Sequence, residues 1–356
     1  MYLRLQCQNV GKINTVYYIS SVVPHADFKL KCSVVLPVYK RIEFVDQALL
    51  SLENQNIDKD LFEVLIISNT EINLSKSYNL NLEIIYSDKI TLAGKLAQGI
   101  LLAKNEVITF LEDDDLYCRD RISDILKCYS DNDSLTYYHN RSIHFRKSGV
   151  LDKNIKYCSG RSTKRSFKVE NEGKWDISKE DEKHLNKSQA DYNLSSMALR
   201  KSFISDYVEM LSKLGTRYID TFMFSISLYR GNSLMIDSKV LTKIRTNALN
   251  ASQSVEREGE SHMKGGYSND MKDLIAAFKS SKILDKKFSK NFIIARGFDD
   301  LMKGNKLSRT KAIFAMFELS KLYGFNLIRS DVAKKGIVYL ISPRLMHKIL
   351  TEFHKT

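Results

Sequence analysis

The sequence predicts a doubly wound α/β fold with a mostly parallel sheet, followed by a helical C-terminal appendage. Four short apolar runs have the length and composition of buried strands: residues 33–39, 62–67, 82–86 and 107–111. Apolar residues recur at helical spacing after the first run, over 44–55, and before the fourth run, over 92–101. Strands that alternate with helices pair in parallel, because each helix returns the chain to the same end of the sheet. Ligands of such sheets bind at the carboxyl ends of the strands.

The length and composition predict one large folded domain with smaller additions. The chain has 356 residues, of which 43% are hydrophobic, and this suffices for one core of about 200 to 250 residues. We assign an N-terminal extension to residues 1–31, the α/β domain to 32–255 and a basic helical region to 256–356. Inside the α/β domain, residues 146–189 are dense in charged and small polar residues without periodicity, which predicts a flexible insertion.

The net charge of +13 is concentrated near the C-terminus. Residues 268–356 contain 18 Lys or Arg against 8 Asp or Glu, a balance of +10, and the first 267 residues carry the remaining +3. A basic segment of this kind can bind nucleic acid, an anionic membrane surface or an anionic lipid carrier. Its amphipathic helices predict peripheral docking on the cytoplasmic face of a membrane, with packing against the α/β domain as the alternative.

The cysteines and the hydropathy pattern favour a cytoplasmic location. The five cysteines are odd in number, scattered and never spaced as Cys-x-x-Cys, which argues against a disulfide framework and against a zinc site. No stretch approaches ~18 uninterrupted apolar residues, and the apolar stretch near the N-terminus is too interrupted for a signal peptide. We therefore expect a protein of the reducing cytoplasm without a membrane span.

The acidic run 112–115 is the strongest candidate for a functional site. It consists of Glu112, Asp113, Asp114 and Asp115 and directly follows the fourth predicted strand. Adjacent carboxylates repel each other unless a cation neutralises them, and Mg²⁺ or Mn²⁺ takes carboxylate oxygens while holding substrate phosphates. The sequence thus predicts a metal-assisted diphosphate site at this position. The alternative is a solvated acidic turn that caps the next helix.

Residues 33–39, Gln55 and the run 110–115 resemble the corresponding motifs of the family 2 glycosyltransferases. The resemblance covers about residues 32–252 and implies the glycosyltransferase A fold, with 32–255 as the catalytic domain. It also implies an inverting hexosyltransferase that moves a sugar from a UDP- or GDP-linked donor to an acceptor hydroxyl, with Mn²⁺ or Mg²⁺ as cofactor. The acceptor would be a sugar or a lipid-linked molecule, in the synthesis of a glycan, a polysaccharide or a lipid-linked oligosaccharide.

The resemblance places the base of the donor nucleotide at the end of the first strand. Pro37, Val38 and Tyr39 would form the loop that contacts this base. The second strand of the family usually ends in one or two aspartates that hold the base, whereas this chain has Ser-Asn-Thr-Glu there. Within this stretch, Asn69 carries an amide that can hydrogen-bond a base.

The resemblance places the sugar diphosphate at the acidic run. Asp113 and Asp114 would contact the donor, and the metal would be bound by Asp113, Asp114 and Asp115. An arginine that the family commonly carries in the second helix is absent from this chain. Lys95 or Lys89 would replace it as a point charge for the diphosphate, or both are solvated surface lysines.

Two later landmarks also resemble the family. Asp220 stands where the family carries an acidic residue that opens a helix and acts as the catalytic base. Residues 241–245 and 250–252 resemble the closing loop of the family, which would bring Arg245 to the donor. The histidine that usually lies near the phosphates in this loop is replaced by Asn247.

Two functions outside this family also compete for the sequence pattern. A phosphate-loop nucleotide hydrolase carries carboxylates after a strand, but it requires a Gly-x-x-x-x-Gly-Lys-Ser/Thr loop that does not surround Gly94 and Lys95. A basic non-enzymatic protein that binds nucleic acid or anionic surfaces would explain the C-terminal charge. It would not explain four carboxylates at a strand end. We therefore expect an enzyme that binds no nucleic acid.

Overall fold

The computed structural model describes residues 28–38, 42–145, 162–168, 184–185, 188–215, 218–230 and 232–245. The predictions for residues 1–27, for most of the insertion and for the helical region 256–356 therefore fall outside the described residues.

A nine-stranded sheet forms the centre of the described part of the chain. Its strands are β1 (Cys32–Val38), β2 (Phe62–Ser68), β3 (Asn81–Tyr86), β4 (Val107–Phe110), β5 (Leu116–Tyr117), β6 (Leu135–Phe145), β7 (Lys164–Lys168), β8 (Met197–Arg200) and β9 (Ser233–Arg245). The strand order is β3-β2-β1-β4-β8-β6-β9-β5, and β7 pairs with β9 beside this path. The helices are α1 (Ile42–Glu53), α2 (Leu92–Leu102), α3 (Arg121–Asp131), α4 (Lys201–Ile204), α5 (Val208–Ser212) and α6 (Ile219–Arg230).

The sheet is mixed, and its parallel half contains the four strands that the sequence predicts. β1 pairs in parallel with β2 and β4, and β2 pairs in parallel with β3. Beyond β4, β8 is antiparallel to both β4 and β6, while β5 and β7 are antiparallel to β9. The doubly wound α/β prediction is confirmed. The sheet is mixed, because antiparallel pairs occur beyond β4 alongside the long parallel pairing of β6 with β9. The alternation of strand and helix that predicts parallel pairing ends at β4.

Helices cover both faces of this sheet. One core joins β1 to α1 and α3 through side chains such as Val34 and Leu49, and the other joins β1 to α2 and α6 through Val35, Leu96 and Phe222. Val34 and Val35 enter opposite cores because successive side chains of a strand point to opposite faces. Both faces of the central strands are thus buried, which explains their continuous apolar runs.

Two segments form strands where the sequence suggests less regular structure. Residues 164–168 lie inside the predicted flexible insertion, yet they form β7 and bury Phe167. Residues 241–245 resemble a closing loop, yet they form the end of β9 and pair with β6 and β5. Leu241 and Ile244 are buried there, as expected for apolar residues on a half-covered sheet.

The described cysteines differ in their chemical state. Cys32 and Cys128 are buried free thiols, whereas Cys118 is disulfide-bonded. The cysteine spacing argues against a disulfide framework, but it does not exclude a single bond of this kind. Among the described residues, no helix combines the length and the apolar character that a membrane span requires.

The close packing of α2 on β1 generates a stability prediction at Gly99. A Cβ atom on Gly99 would lie 2.4 Å from Val35 Cγ1. The Gly99→Ala change should therefore lower the free energy of unfolding by about 1–3 kcal/mol. In a Val35→Ala background the same change should be neutral or stabilising by up to about 1 kcal/mol, because alanine is favoured over glycine inside a helix. Urea unfolding of the four proteins measures this sign reversal. A Gly99→Ala protein at least as stable as the parent would contradict the packing described here.

Candidate functional site

The acidic run lies at the carboxyl end of β4 and forms a tight turn. The backbone N–H of Asp115 donates to the carbonyl of Glu112 at 3.0 Å, immediately before the chain enters β5. The side chains of Asp113, Asp114 and Asp115 are 1%, 6% and 2% exposed. A solvated acidic turn would leave its carboxylates in water. The burial therefore argues against that alternative, and the charges require compensation from the protein or from a ligand.

Three hydrogen-bond donors hold the carboxylate of Asp115. Its Oδ2 accepts from Ser195 Oγ at 2.7 Å and from Asn193 Nδ2 at 3.0 Å, and its Oδ1 accepts from the backbone N–H of Arg245 at 3.0 Å. The pKa of Asp115 is raised to about 7, first by burial and then by the charge of Asp114, against the opposing effect of these hydrogen bonds. The protein thus stabilises the charge of Asp115 without removing the repulsion from its neighbour.

Arg245 brings a buried guanidinium to the acidic run. Its Nε donates to the carbonyl of Asp114 at 3.0 Å, and its Nη2 donates to Gln47 Oε1 at 2.7 Å. Its Cζ lies 4.5 Å from the ring centroids of both Phe44 and Phe145. Two aromatic rings and two acceptors hold this planar cation in the observed orientation. Arg245, which the sequence assigns to donor binding, therefore contacts the acidic run directly.

Lys95 joins the carboxyl ends of β1 and β2. Its Nζ donates to the carbonyl of Val38 at 2.6 Å and to Asn69 Oδ1 at 2.5 Å. Its side chain is buried, and burial lowers the pKa of the ammonium group to about 8, whereas the charge of Asp113 acts in the opposite direction. The solvated-lysine alternative fits the exposed Lys89 and does not fit Lys95. Four of the predicted donor residues thus lie together: Val38, Asn69, Lys95 and Asp113.

The other predicted donor residues are placed as follows. Pro37 lies within β1, in register with Ile67 of β2, one residue before Val38. Tyr39 and Asn247 are outside the described residues.

Asp220 lies in the first turn of α6 and is tied to the acidic run through Asn193. Its Oδ1 accepts from the backbone N–H of Thr221 at 2.8 Å, and its Oδ2 accepts from the backbone N–H of Asn193 at 3.3 Å. The side-chain amide of Asn193 also donates to Glu112 Oε2 at 3.3 Å and to Asp115. One residue therefore contacts both the predicted base and the predicted donor site.

Three site residues are absent from the sequence-based predictions: Gln47, Asn193 and Ser195. Gln47 lies on α1, whose apolar spacing predicts the helix and carries no information about a polar partner. Asn193 and Ser195 precede β8, whereas sequence reasoning searches for ligands after parallel strands. No sequence signal marks them, because the burial of these polar side chains is visible only in the folded chain.

The carboxylates of the acidic run do not form a three-carboxylate metal site. Within the described ranges, no group of three or more His, Cys, Asp or Glu side chains is arranged to hold a metal ion. The two carboxylate oxygens of Asp115 accept hydrogen bonds from three protein groups instead. Asp113 and Asp114 retain the chemistry of hard-cation ligands, which is sufficient when substrate phosphates complete the coordination.

Comparisons with known proteins bear on the family and the fold. A family model described as glycosyl transferase family 2 matches residues 33–207. The structure of S. aureus TarS 1-349 in complex with UDP has a TM-score of 0.51 at 14% identity, covering 90% of this chain and 91% of that chain. The complex of TarS 1-349 with UDP-GlcNAc has a TM-score of 0.51 at 15% identity, covering 89% and 88%. A longer S. aureus TarS structure scores 0.53 at 15% identity, covering 89% and 55%. A search of curated proteins finds no match.

The contacts of Arg245 generate a prediction about stability. Arg245→Met should lower the free energy of unfolding by about 3–5 kcal/mol, because it leaves buried carboxylates without their cation. Arg245→Lys should lower it by about 1–3 kcal/mol, because an ammonium group keeps the charge but loses the planar fork and the ring contacts. Urea unfolding measures both. Lys213→Met, which removes an exposed ion pair with Glu209, serves as the control and should change stability by less than about 1 kcal/mol. An Arg245→Lys protein of parental stability would contradict this account.

Proposed function

Residues 33–207 belong to glycosyl transferase family 2, and on that premise we propose that this nucleotide-sugar-dependent glycosyltransferase acts by direct displacement with inversion at the anomeric carbon. The observation that carries the proposal is the position of Asn193, which contacts both Asp220 and Asp115. A carboxylate that can act as base thus lies beside the acidic run. Family membership also favours an enzyme over the alternative of a non-enzymatic binding protein.

For the donor, we propose a UDP-linked sugar bound at the carboxyl ends of β1, β2 and β4. S. aureus TarS has been solved with UDP and with UDP-GlcNAc, which supports this choice over a GDP-linked donor. Asn69 Oδ1 accepts from Lys95, so its Nδ2 group is the part of the amide that donates to a carbonyl of the base. Pro37, Val38 and Tyr39 complete the proposed base site.

For the metal, we propose that Asp113 and Asp114 hold Mn²⁺ or Mg²⁺ together with oxygens of the donor diphosphate. The family generally uses a divalent metal, and these ions are commonly bound by one or two carboxylates plus substrate phosphates. Asp115, which the sequence assigns as a third ligand, holds the turn through its hydrogen bonds in this proposal. When bound, the metal supplies charge stabilisation for the departing diphosphate.

The proposed reaction needs one proton acceptor beyond the acidic run. The oxygen of the acceptor hydroxyl forms a bond to the anomeric carbon of the sugar, and the bond from that carbon to the diphosphate oxygen breaks. Asp220 takes the proton of the hydroxyl, because a neutral hydroxyl is a weak nucleophile. Its position at the start of α6, half-buried beside Asn193, leaves the carboxylate accessible to an acceptor.

The basic region 268–356 supports a proposal about location. We propose that it contacts an anionic membrane on the cytoplasmic face and so brings the site near a lipid-linked acceptor, since each Lys or Arg near such a surface contributes about 1 kcal/mol. The full chain should float with phosphatidylglycerol vesicles at low salt and less at moderate salt. Replacing Lys286, Lys287, Lys334 and Lys335 by Glu should reduce flotation, whereas Lys213→Glu should not. A chain that never floats with these vesicles would refute the proposal and favour packing of this region on the catalytic domain.

The proposed base generates a prediction at Asp220. Asp220→Asn should lower the release of UDP from UDP-GlcNAc, with water or a sugar as acceptor, by roughly 100-fold or more. Thermal shift with UDP and Mn²⁺ should remain near the parental value, because the donor site does not include this side chain. The melting temperature should fall only modestly. The amide oxygen of Asn can still accept from Thr221, whereas its NH2 group cannot accept the 3.3 Å hydrogen bond from the backbone N–H of Asn193.

The control for Asp220 is Glu209→Gln, the same change of functional group at an exposed site on α5. It should retain turnover within a few fold of the parent. An Asp220→Asn enzyme with similarly preserved turnover would remove Asp220 from the role of base. If neither UDP nor UDP-GlcNAc raises the melting temperature with Mn²⁺ or Mg²⁺ present, while GDP does, the donor assignment changes to a GDP-linked sugar.

A further inference from the structure

We propose that Asn193 is a positioning residue that fixes the catalytic base relative to the donor site. This inference rests on the proposed function, because it assumes that Asp220 acts as the base. Asn193 does not touch the reacting atoms in this proposal. It acts through Asp220, and neither the motifs of the sequence nor the family match assigns it a role.

The geometry of Asn193 connects two parts of the site that are distant in sequence. Its backbone N–H donates to Asp220 Oδ2 at 3.3 Å, while its side-chain Nδ2 donates to Asp115 Oδ2 at 3.0 Å and to Glu112 Oε2 at 3.3 Å. The backbone and the side chain of one residue cannot move independently. Asn193, which is buried, therefore links the carboxylate of Asp220 to the acidic run.

The orientation of the Asn193 amide is set by its neighbour Ser196. The hydroxyl of Ser196 donates to Asn193 Oδ1 at 3.0 Å, which leaves the two hydrogens of Nδ2 for the two carboxylates. Both sides of the amide thus have matched partners. An aspartate at this position would present an oxygen to Glu112 and Asp115 and would repel them.

Ser195, two residues after Asn193, contacts the same acidic run. Its hydroxyl donates to Asp115 Oδ2 at 2.7 Å, and its oxygen accepts from the backbone N–H of Glu112 at 3.0 Å. The segment from Asn193 to Ser196 therefore contacts both ends of the acidic turn. This second attachment also holds the segment beside the donor site.

Backbone conformation gives an independent sign that the surrounding structure fixes the position of this junction. Among the described residues, three that are not glycine have positive φ: Gln189 at 52°, Asn193 at 68° and Tyr218 at 62°. Asn193 and Tyr218 lie on the two segments that meet at Asp220, and the carbonyl of Tyr218 accepts the N–H of Phe222 at 2.8 Å as α6 begins. Such conformations persist only where the surroundings impose them, and they cluster at functional sites.

The functional consequence follows from the distance dependence of proton transfer. A base must remain within hydrogen-bond reach of the attacking hydroxyl, and a misplacement of about 1 Å can lower a rate by roughly 100-fold. Loss of the Asn193 side chain leaves its N–H on Asp220 but frees this pair from Asp115 and Glu112. Turnover should therefore fall, whereas donor binding should be preserved.

The test is a double-mutant cycle of the parent, Asn193→Gly, Asp220→Asn and the double variant, assayed by UDP release from UDP-GlcNAc. Glycine tolerates the positive φ and keeps the N–H, so the change removes the side chain only. Asn193→Gly should lower kcat by about 10- to 100-fold while the KM for UDP-GlcNAc changes by less than about threefold. In the Asp220→Asn background it should change kcat by less than about threefold, because a residue that acts through the base has no further effect without it.

Two further variants complete the test. Gln189→Gly removes a positive-φ side chain upstream and should leave turnover within about twofold of the parent. Asn193→Asp keeps the size of the side chain, and it should lower kcat at least as much as Asn193→Gly. Should Asn193→Gly fail to fold, the cycle is measured with Asn193→Ala instead, which also removes the side-chain amide and keeps the backbone N–H.

The outcomes separate this inference from the proposed function. If Asp220→Asn lowers turnover by roughly 100-fold but the effect of Asn193→Gly is fully retained in that background, the positioning role is overturned and the base assignment stands. Unchanged turnover in Asn193→Gly would likewise overturn the positioning role. If Asp220→Asn itself turns over normally, the base assignment falls and the positioning role falls with it. A loss confined to melting temperature, with parental kcat per folded enzyme, would show that Asn193 is structural only.

Discussion

The burial of Asp113, Asp114 and Asp115 at the end of β4 is the constraint on which the rest of the site depends. Adjacent buried carboxylates are stable only if the protein, or a bound cation, compensates their charge. The compensation here comes from three directions: the charge of Lys95 on α2 acts on Asp113, the charge of Arg245 on β9 acts on Asp114 and Asp115, and Asn193 before β8 donates to Asp115. The acidic run thus determines which elements must meet at this edge of the sheet.

Arg245 shows how this electrostatic requirement is coupled to packing. Its guanidinium lies against Phe44 of α1 and Phe145 of β6, so the cation that serves the acidic run also joins a helix to two strands. The contact of Arg245 with the acidic run also agrees with the end of β9 being a strand rather than a loop. The hydrogen bond from the backbone N–H of Arg245 to Asp115 and the pairing of β9 with β6 both require extended backbone at this position.

The sequence predicts the parts of the fold whose signals are local. β1 to β4, α1 and α2 follow from apolar periodicity, and the acidic run follows from four carboxylates after a buried strand. The partners of that run were only partly predictable, because Asn193 and Arg245 lie 78 and 130 residues from Asp115 along the chain. The resemblance to the family indicates Arg245 as a donor residue, and its contacts with Gln47 and Asp114 become visible only in the folded chain.

The mixed pairing of the sheet explains why a prediction based on parallel strands does not identify Asn193. In a parallel sheet, functional residues follow the strands, since all carboxyl ends meet at one edge. β8 runs antiparallel to β4, with Thr109 opposite Ala198, so the residues that precede β8 reach the same edge as those that follow β4. Asn193 and Ser195 therefore lie beside Asp115 although they stand at the amino end of their strand. An antiparallel strand inserted into a parallel sheet thus adds a second class of positions to the site, and in this chain those positions connect Asp220 to the donor residues.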